Sequence, residues 1–239
     1  MAEHTSRQKV EAVFFETLQQ IEQRLSTLPG FTPTDPFPDS WSPPESLHLH
    51  SFRSDQIAWG RILCFRGEGL PSVFSTLLLP RLDLNLPAIA TLQTVTDEKV
   101  SFVLLDAVPL DEESLQRELV TQIKELESAI TPGAISLNHL PPALTAQMGP
   151  AAWLWRGLDH ESAQGTAQDL LQLFATYLDL LPQAATVSEE TQLLRKERRN
   201  AYVQALRRSE ERARDNLGRM LGDPEMVDLF LDRFYLPIE

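Results

Sequence analysis

The chain has 239 residues, with 21 Lys+Arg against 34 Asp+Glu for a formal charge of −13, 42% hydrophobic residues and one cysteine. A body this acidic argues against general binding to nucleic acid or to an anionic membrane, which both depend on positive charge facing phosphates. A lone Cys64 excludes a disulfide framework and cysteine-built zinc or iron-sulfur centres. No stretch approaches the roughly 20 apolar residues of a membrane span, and residues 1–9, with Glu3 beside Arg7 and Lys9, read as neither secretory signal nor transit peptide, so a cytoplasmic protein is expected.

Val10, Val13, Phe14, Leu18, Ile21, Leu25 and Leu28 recur at spacings of three and four, which predicts an amphipathic helix over 6–28. Pro33, Pro36, Pro38, Pro43 and Pro44 then predict a loop over 29–45. From Leu47 the period becomes two, or short apolar runs: 47–52, 57–65, 73–79, 88–94 and 100–106. Gaps this short hold no crossover helices, so a mainly antiparallel meander is expected. A helix is predicted at about 112–128, with Leu115, Leu119, Ile123 and Leu126 on one face behind the acidic Asp111, Glu112 and Glu113. Residues 151–156, where Trp153 and Trp155 alternate with Leu154 and Arg156, read as a further strand. Helices are predicted at 160–181, 189–219 and 223–235. Strands followed by helices indicate an α+β domain.

The common enzyme signatures are absent: there is no phosphate-binding glycine loop, no nucleophile elbow and no histidine pair at metal-ligand spacing, so no metal site is expected. His48 and His50 alternate with leucines and share one strand face, a pattern that fits ligand binding and equally a half-solvated outer strand. On the long C-terminal helix Tyr202, Val203, Leu206, Leu217, Met220 and Leu221 form one side, and Glu210 falls inside it while Glu211 lies away. A carboxyl on a buried face has a raised pKa and is a candidate proton donor; pairing with Arg207 or Arg214 is the structural alternative. The same helix carries nine basic residues, including Arg195, Lys196, Arg198, Arg199, Arg207 and Arg208. Such a stripe on an acidic body steers an acidic partner, or is a solvated face held by i,i+4 pairs.

In this order the chain resembles the red chlorophyll catabolite reductases of plants and, more distantly, the ferredoxin-dependent bilin reductases of cyanobacteria. The likeness runs through the opening helix ending in Glu22-Gln-Arg-Leu-Ser26, through Leu86-Pro-Ala-Ile-Ala-Thr-Leu-Gln93, and through Val100-Ser-Phe-Val-Leu-Leu-Asp106, an apolar strand ending in an acid. It continues at Gly149-Pro-Ala-Ala-Trp-Leu-Trp-Arg156-Gly157, and in the terminal helix with Glu210, Glu211 and the Leu221-Gly222 break. The resemblance implies a single domain over 1–239 with a three-layer α/β/α sandwich around a central, mainly antiparallel sheet. A linear tetrapyrrole lies between sheet and C-terminal helices in that family, which takes part in chlorophyll or haem breakdown. It also implies no permanently bound cofactor, reduced ferredoxin as electron donor, Glu210 or Glu211 as helix acid, and Arg156 facing a propionate. Thr91, Gln93, Ser75 and Asp106 are the further candidates for contacting the pigment, and Arg195, Lys196, Arg198, Arg199, Arg207 and Arg208 for docking ferredoxin.

The sequence departs from the pattern on the strands at 73–79 and 88–94, which carry hydroxyls and an amide where the resemblance implies acids; none of these is a strong proton donor near neutral pH. Three functions are therefore expected in order: ferredoxin-dependent reduction of a linear tetrapyrrole, tetrapyrrole binding or chaperoning without turnover, and a protein-interaction module built on the basic helix.

Overall fold

The fold is described from a computed structural model over residues 6–35, 43–67, 69–96, 99–111, 119, 121, 140–149, 152–155, 160–211 and 214–234. Helix α1 (Ser6–Leu25) precedes strands β1 (Thr32–Thr34), β2 (Leu47–Arg53), β3 (Ile57–Phe65), β4 (Ser72–Pro80), β5 (Ala88–Thr96) and β6 (Lys99–Val108). A short α2 (Pro142–Thr145) and β7 (Trp153–Trp155) follow, then α3 (His160–Leu180), α4 (Glu189–Glu211), α5 (Arg214–Leu221) and α6 (Met226–Phe234). The seven strands lie in chain order in one sheet, every neighbour antiparallel, so the expected meander forms.

One detail differs from the sequence reading. Part of the proline-rich loop is strand β1, at the sheet edge, where the N–H that Pro33 lacks is not needed for a second neighbour. The helix expected at 189–219 is described as helical over Glu189–Glu211 (α4) and Arg214–Leu221 (α5), and residues 212 and 213 lie outside the described residues. Of the helix expected at 112–128, only Leu119 and Thr121 are described; both are helical and Leu119 is buried.

The sheet is covered on both faces. On one side Phe14, Leu18 and Ile21 of α1 and Leu170, Phe174 and Tyr177 of α3 pack on Ile62, Phe74, Ile89 and Leu105. On the other, Tyr202 and Val203 of α4, Leu217 and Met220 of α5, and Phe230 of α6 pack on Leu63, Leu77, Ala90 and Val108. Because strand side chains alternate, each inner position belongs to one layer only. The result is an α+β sandwich with helices on either side of the sheet.

Polar clasps tie the layers. The Arg195 guanidinium, fully buried, pairs with Asp111 and donates to the Leu86 carbonyl at 2.6 Å, fixing α4 to the entrance of β5 and the exit of β6. On the opposite face, Glu22 of α1 bridges two strand residues: one carboxylate oxygen meets His48 Nε2 at 3.2 Å and the other meets His50 Nδ1. The sequence showed no carboxylate beside these histidines; the tertiary fold supplies one.

The hydrogen bond to Glu22 raises the His48 pKa above its ordinary 6.5, and its partner's pKa is lowered from 4.5 chiefly by that same bond. His48 gains stability that is complete below about 6.5 and lost as pH rises through its folded value; Glu22 gains stability that is complete above about 4.5 and lost as pH falls through its own. The stability difference between wild type and Glu22→Gln is therefore expected to be largest between about pH 4.5 and 6.5, and, since His48 is half exposed, to stay below about 1 kcal/mol. Thermal melts across pH 4–8 check this; a difference that grows steadily toward pH 8 would refute it.

Candidate functional site

The face of the sheet toward α4–α6 carries one unusual row. Arg61 of β3, Leu77 of β4, Ala90 of β5 and Asp106 of β6 stand in cross-strand register. Alternation puts Asp106 with Val108 on this face, while Leu105 and Ala107 face α1 and α3. Asp106 is 0% exposed and Arg61 4%. A carboxyl and a guanidinium thus sit inside a mostly apolar layer.

Asp106 is held on one side only. The Gly149 backbone N–H donates to Oδ1 at 2.9 Å, and Oδ2 has no hydrogen-bond partner. The Tyr202 hydroxyl of α4 acts on the carboxyl without closing a bond of ordinary geometry. Burial dominates and pushes the Asp106 pKa from 3.8 up to about 7; the Gly149 bond and the Tyr202 hydroxyl pull it back only in part. Tyr202, 1% exposed, is driven well above its usual range by burial and by Asp106, with the Arg61 charge pulling the other way. A carboxyl with a pKa near 7 is about half protonated at neutral pH and can give up its proton there, as a general acid must.

Next to this row a cavity of about 200 Å³ opens between sheet and helices, with Leu63, Val73 and Leu92 as floor, Leu70 and Pro71 at one side, and Leu217 and Met220 of α5 as roof. Its walls are apolar except for Thr94 and Asn216. A space of that size takes a ring-sized apolar group rather than a whole drug-sized ligand. Among the described residues no group of three or more His, Cys, Asp or Glu is placed to hold a metal ion.

The expected pigment-contacting residues divide between the layers. Asp106 and Ser75 face α4–α6, and the Ser75 hydroxyl donates to the Thr91 carbonyl at 2.8 Å. Thr91 and Gln93 belong with Ile89 on the α1–α3 face, so they do not join Asp106 in one pocket wall. The reason is strand parity: odd-numbered β5 positions point away from the C-terminal helices. Arg156 and the side chains of Glu210, Glu211, Trp153 and Trp155 lie outside the described residues, although the backbone places Glu210 and Glu211 in the last turn of α4.

The basic stripe divides as well. Arg195 and Arg199 are buried, and burial together with the Arg199 charge lowers the Arg195 pKa to about 10, so these two are not docking residues. Arg207 pairs with Asp232 of α6, just as Arg214 of α5 pairs with Asp228 at 2.7 Å. Arg198 and Arg208 are exposed and Lys196 is half-buried. Arg61 and Gly149 were missed as site residues by sequence reasoning; the one signal for Arg61 was an arginine in the middle of the apolar run Ile57–Phe65.

The sequence matches no protein-family model and no curated protein. Among solved structures, phytochromobilin synthase from tomato, in complex with biliverdin, superposes with a TM-score of 0.72 at 16% identity, over 95% of this chain and 85% of that one. PcyX superposes with a TM-score of 0.57 at 10% identity, over 91% of this chain and 93% of that one. The chain has the fold of phytochromobilin synthase. At these identities the likeness establishes architecture, and what the site does rests on its own residues.

Since the Asp106 pKa is about 7 when folded and 3.8 ordinarily, its contribution to stability is complete below about pH 3.8 and lost as pH rises through 7. Between pH 4.5 and 8 the wild type is expected to lose on the order of 3 kcal/mol more stability than Asp106→Asn. Urea unfolding of both proteins at the two pH values measures it, and parallel losses would show an ordinary, low-pKa carboxyl.

Proposed function

We propose that the protein is a divergent member of the ferredoxin-dependent bilin reductases that reduces a linear tetrapyrrole, of the red chlorophyll catabolite or bilin type, with electrons from reduced ferredoxin. The observation that carries this reading is Asp106, a fully buried carboxyl with a pKa near 7 on the sheet face that looks toward the C-terminal helices. The acid missing from β4 and β5 stands one strand further on. Its support comes from the shared fold with a biliverdin-bound phytochromobilin synthase.

In this mechanism one ring of the pigment enters the apolar cavity under Leu217 and Met220 while the remainder lies along the seam between sheet and helices. Two ferredoxins each give one electron and are oxidised. Two protons complete the addition of two hydrogens across one double bond; Asp106 gives one, and Glu210 is the candidate for the second. Burial raises the Asp106 pKa so that a protonated form is available near neutral pH, and an electron arriving on the pigment and a proton leaving Asp106 are coupled steps. Ferredoxin docks on the exposed Arg198 and Arg208, with Lys196 beside them. A pigment-binding protein without turnover is the second reading, favoured by the lack of any acid on β4 and β5.

An absorption titration with biliverdin and with red chlorophyll catabolite, followed anaerobically by a ferredoxin reducing system, tests the proposal. A saturable shift followed by bleaching of the bound pigment is expected. Asp106→Asn is expected to keep binding and to lose about 10²-fold or more in turnover. A shift that ferredoxin leaves untouched would establish the second reading, and no shift with either pigment would sink both.

Docking has its own check. Arg198→Glu with Arg208→Glu is expected to raise the KM for ferredoxin about tenfold at low salt with kcat unchanged, the effect fading at high ionic strength. An unchanged KM would move the docking surface elsewhere.

A further inference from the structure

Among the described residues Gly149 makes the one hydrogen bond of ordinary geometry that Asp106 accepts, and its place in the chain has a steric requirement. A Cβ built on Gly149 would lie 2.0 Å from the Ala107 carbonyl oxygen and 3.0 Å from Asp106 Oδ1. That carbonyl belongs to β6, the strand that carries Asp106, and cannot move without disturbing the sheet. Any side chain at 149 therefore pushes the backbone away from β6 and draws the N–H off Oδ1. The glycine is needed for close approach, not for an unusual backbone angle.

The local chain aims this amide. Helix α2 packs its buried Leu144 on the α4–α6 layer, and the turn bonds Gln147 N–H to Leu144 O at 2.9 Å and Met148 N–H to Thr145 O at 3.3 Å carry the chain back to β6. The Gly149 carbonyl then accepts from Ala152 N–H at 3.2 Å, just before β7 joins the sheet. Both polar groups of Gly149 are committed, and the residue is pinned at each end.

We propose that Gly149 is a positioning residue: its N–H fixes Oδ1 of Asp106 as the carbonyl-type oxygen, so that the exchangeable proton resides on Oδ2, which makes no hydrogen bond of ordinary geometry among the described residues. Tyr202 of α4 and Arg61 of β3 are titratable groups of the same layer. In a neutral carboxyl the carbonyl oxygen is the better acceptor, so a fixed donor selects which oxygen stays bare of the proton. The same bond favours the ionised form, since a carboxylate accepts more strongly than a carboxylic acid. Gly149 thus sets both the site of the proton and the ease of its release. This rests on Asp106 as the acid of the proposed reaction, but its test reads Asp106 in the ligand-free protein and needs no turnover.

Replacing the residue 149 amide by an ester, with glycolic acid in place of Gly149, removes the donor and adds no atom. In the folded ester protein the Asp106 carboxyl, followed by carbon-13 NMR, is expected to titrate about one pH unit or more higher than in wild type. Its protonated C=O stretch in isotope-edited infrared spectra is expected to move to higher frequency, because the carbonyl oxygen has lost its donor. A folded ester protein with both midpoint and stretch unchanged would overturn the proposal; a raised midpoint with an unmoved stretch would place the proton on Oδ1 and overturn it equally. Should the ester protein not fold, wild type decides: the Gly149 amide resonance is expected to titrate with the Asp106 midpoint and to become flat in Asp106→Asn. An amide shift that ignores Asp106 ionisation refutes the assignment.

Discussion

Burial of one antiparallel meander on both faces is the constraint from which the rest follows. Once β3 to β6 are covered by α1 and α3 on one side and α4 to α6 on the other, each strand position belongs to one helical layer or the other. Apolar side chains meet that demand anywhere. A polar one needs a partner within its own layer, because an unsatisfied buried group costs about 1–3 kcal/mol. Parity thus sends Thr91 and Gln93 to the α1–α3 side and Asp106 to the α4–α6 side, although all three lie within two neighbouring strands.

Two buried ionisable groups show how the same burial gives different outcomes. Arg195 has a carboxylate and a backbone carbonyl in contact, stays charged, and acts as a structural clasp between α4 and the sheet. Asp106 receives one amide and an incomplete contribution from Tyr202, so removal from water wins and its pKa rises to about 7. The difference lies in how many compensating contacts the surrounding chain supplies. An ion met by a carboxylate and a carbonyl holds structure, and a carboxyl met by one amide is poised to exchange a proton near neutral pH.

The basic character of the C-terminal helices divides along the same line. Arg195 and Arg199 are buried, Arg207 and Arg214 tie α4 and α5 to aspartates of α6, and among the described residues Arg198 and Arg208 of α4 and Arg219 of α5 are exposed, with Lys196 half-buried. The unpaired, exposed basic surface is therefore smaller than a count of arginines implies. It lies on the outer side of the helical layer whose inner side covers Asp106.

The element order, the period-two runs from Leu47 onward and the amphipathic stripe of α1 were legible in the sequence, because hydrophobic periodicity reports directly which side of an element leaves water. An apolar strand ending in an acid was legible too. What the linear pattern lacked was the identity of the neighbours. Glu22 beside His48 is 26 residues away along the chain, Gly149 beside Asp106 is 43 away, and Asp111 beside Arg195 is 84 away. The sequence by itself determined that the strands from Leu47 onward would form an antiparallel meander and that Asp106 ends an apolar strand of it. Only the tertiary structure decided that Asp106 is denied enough partners to ionise easily, because a pKa is set by desolvation and by contacts that distant segments bring together.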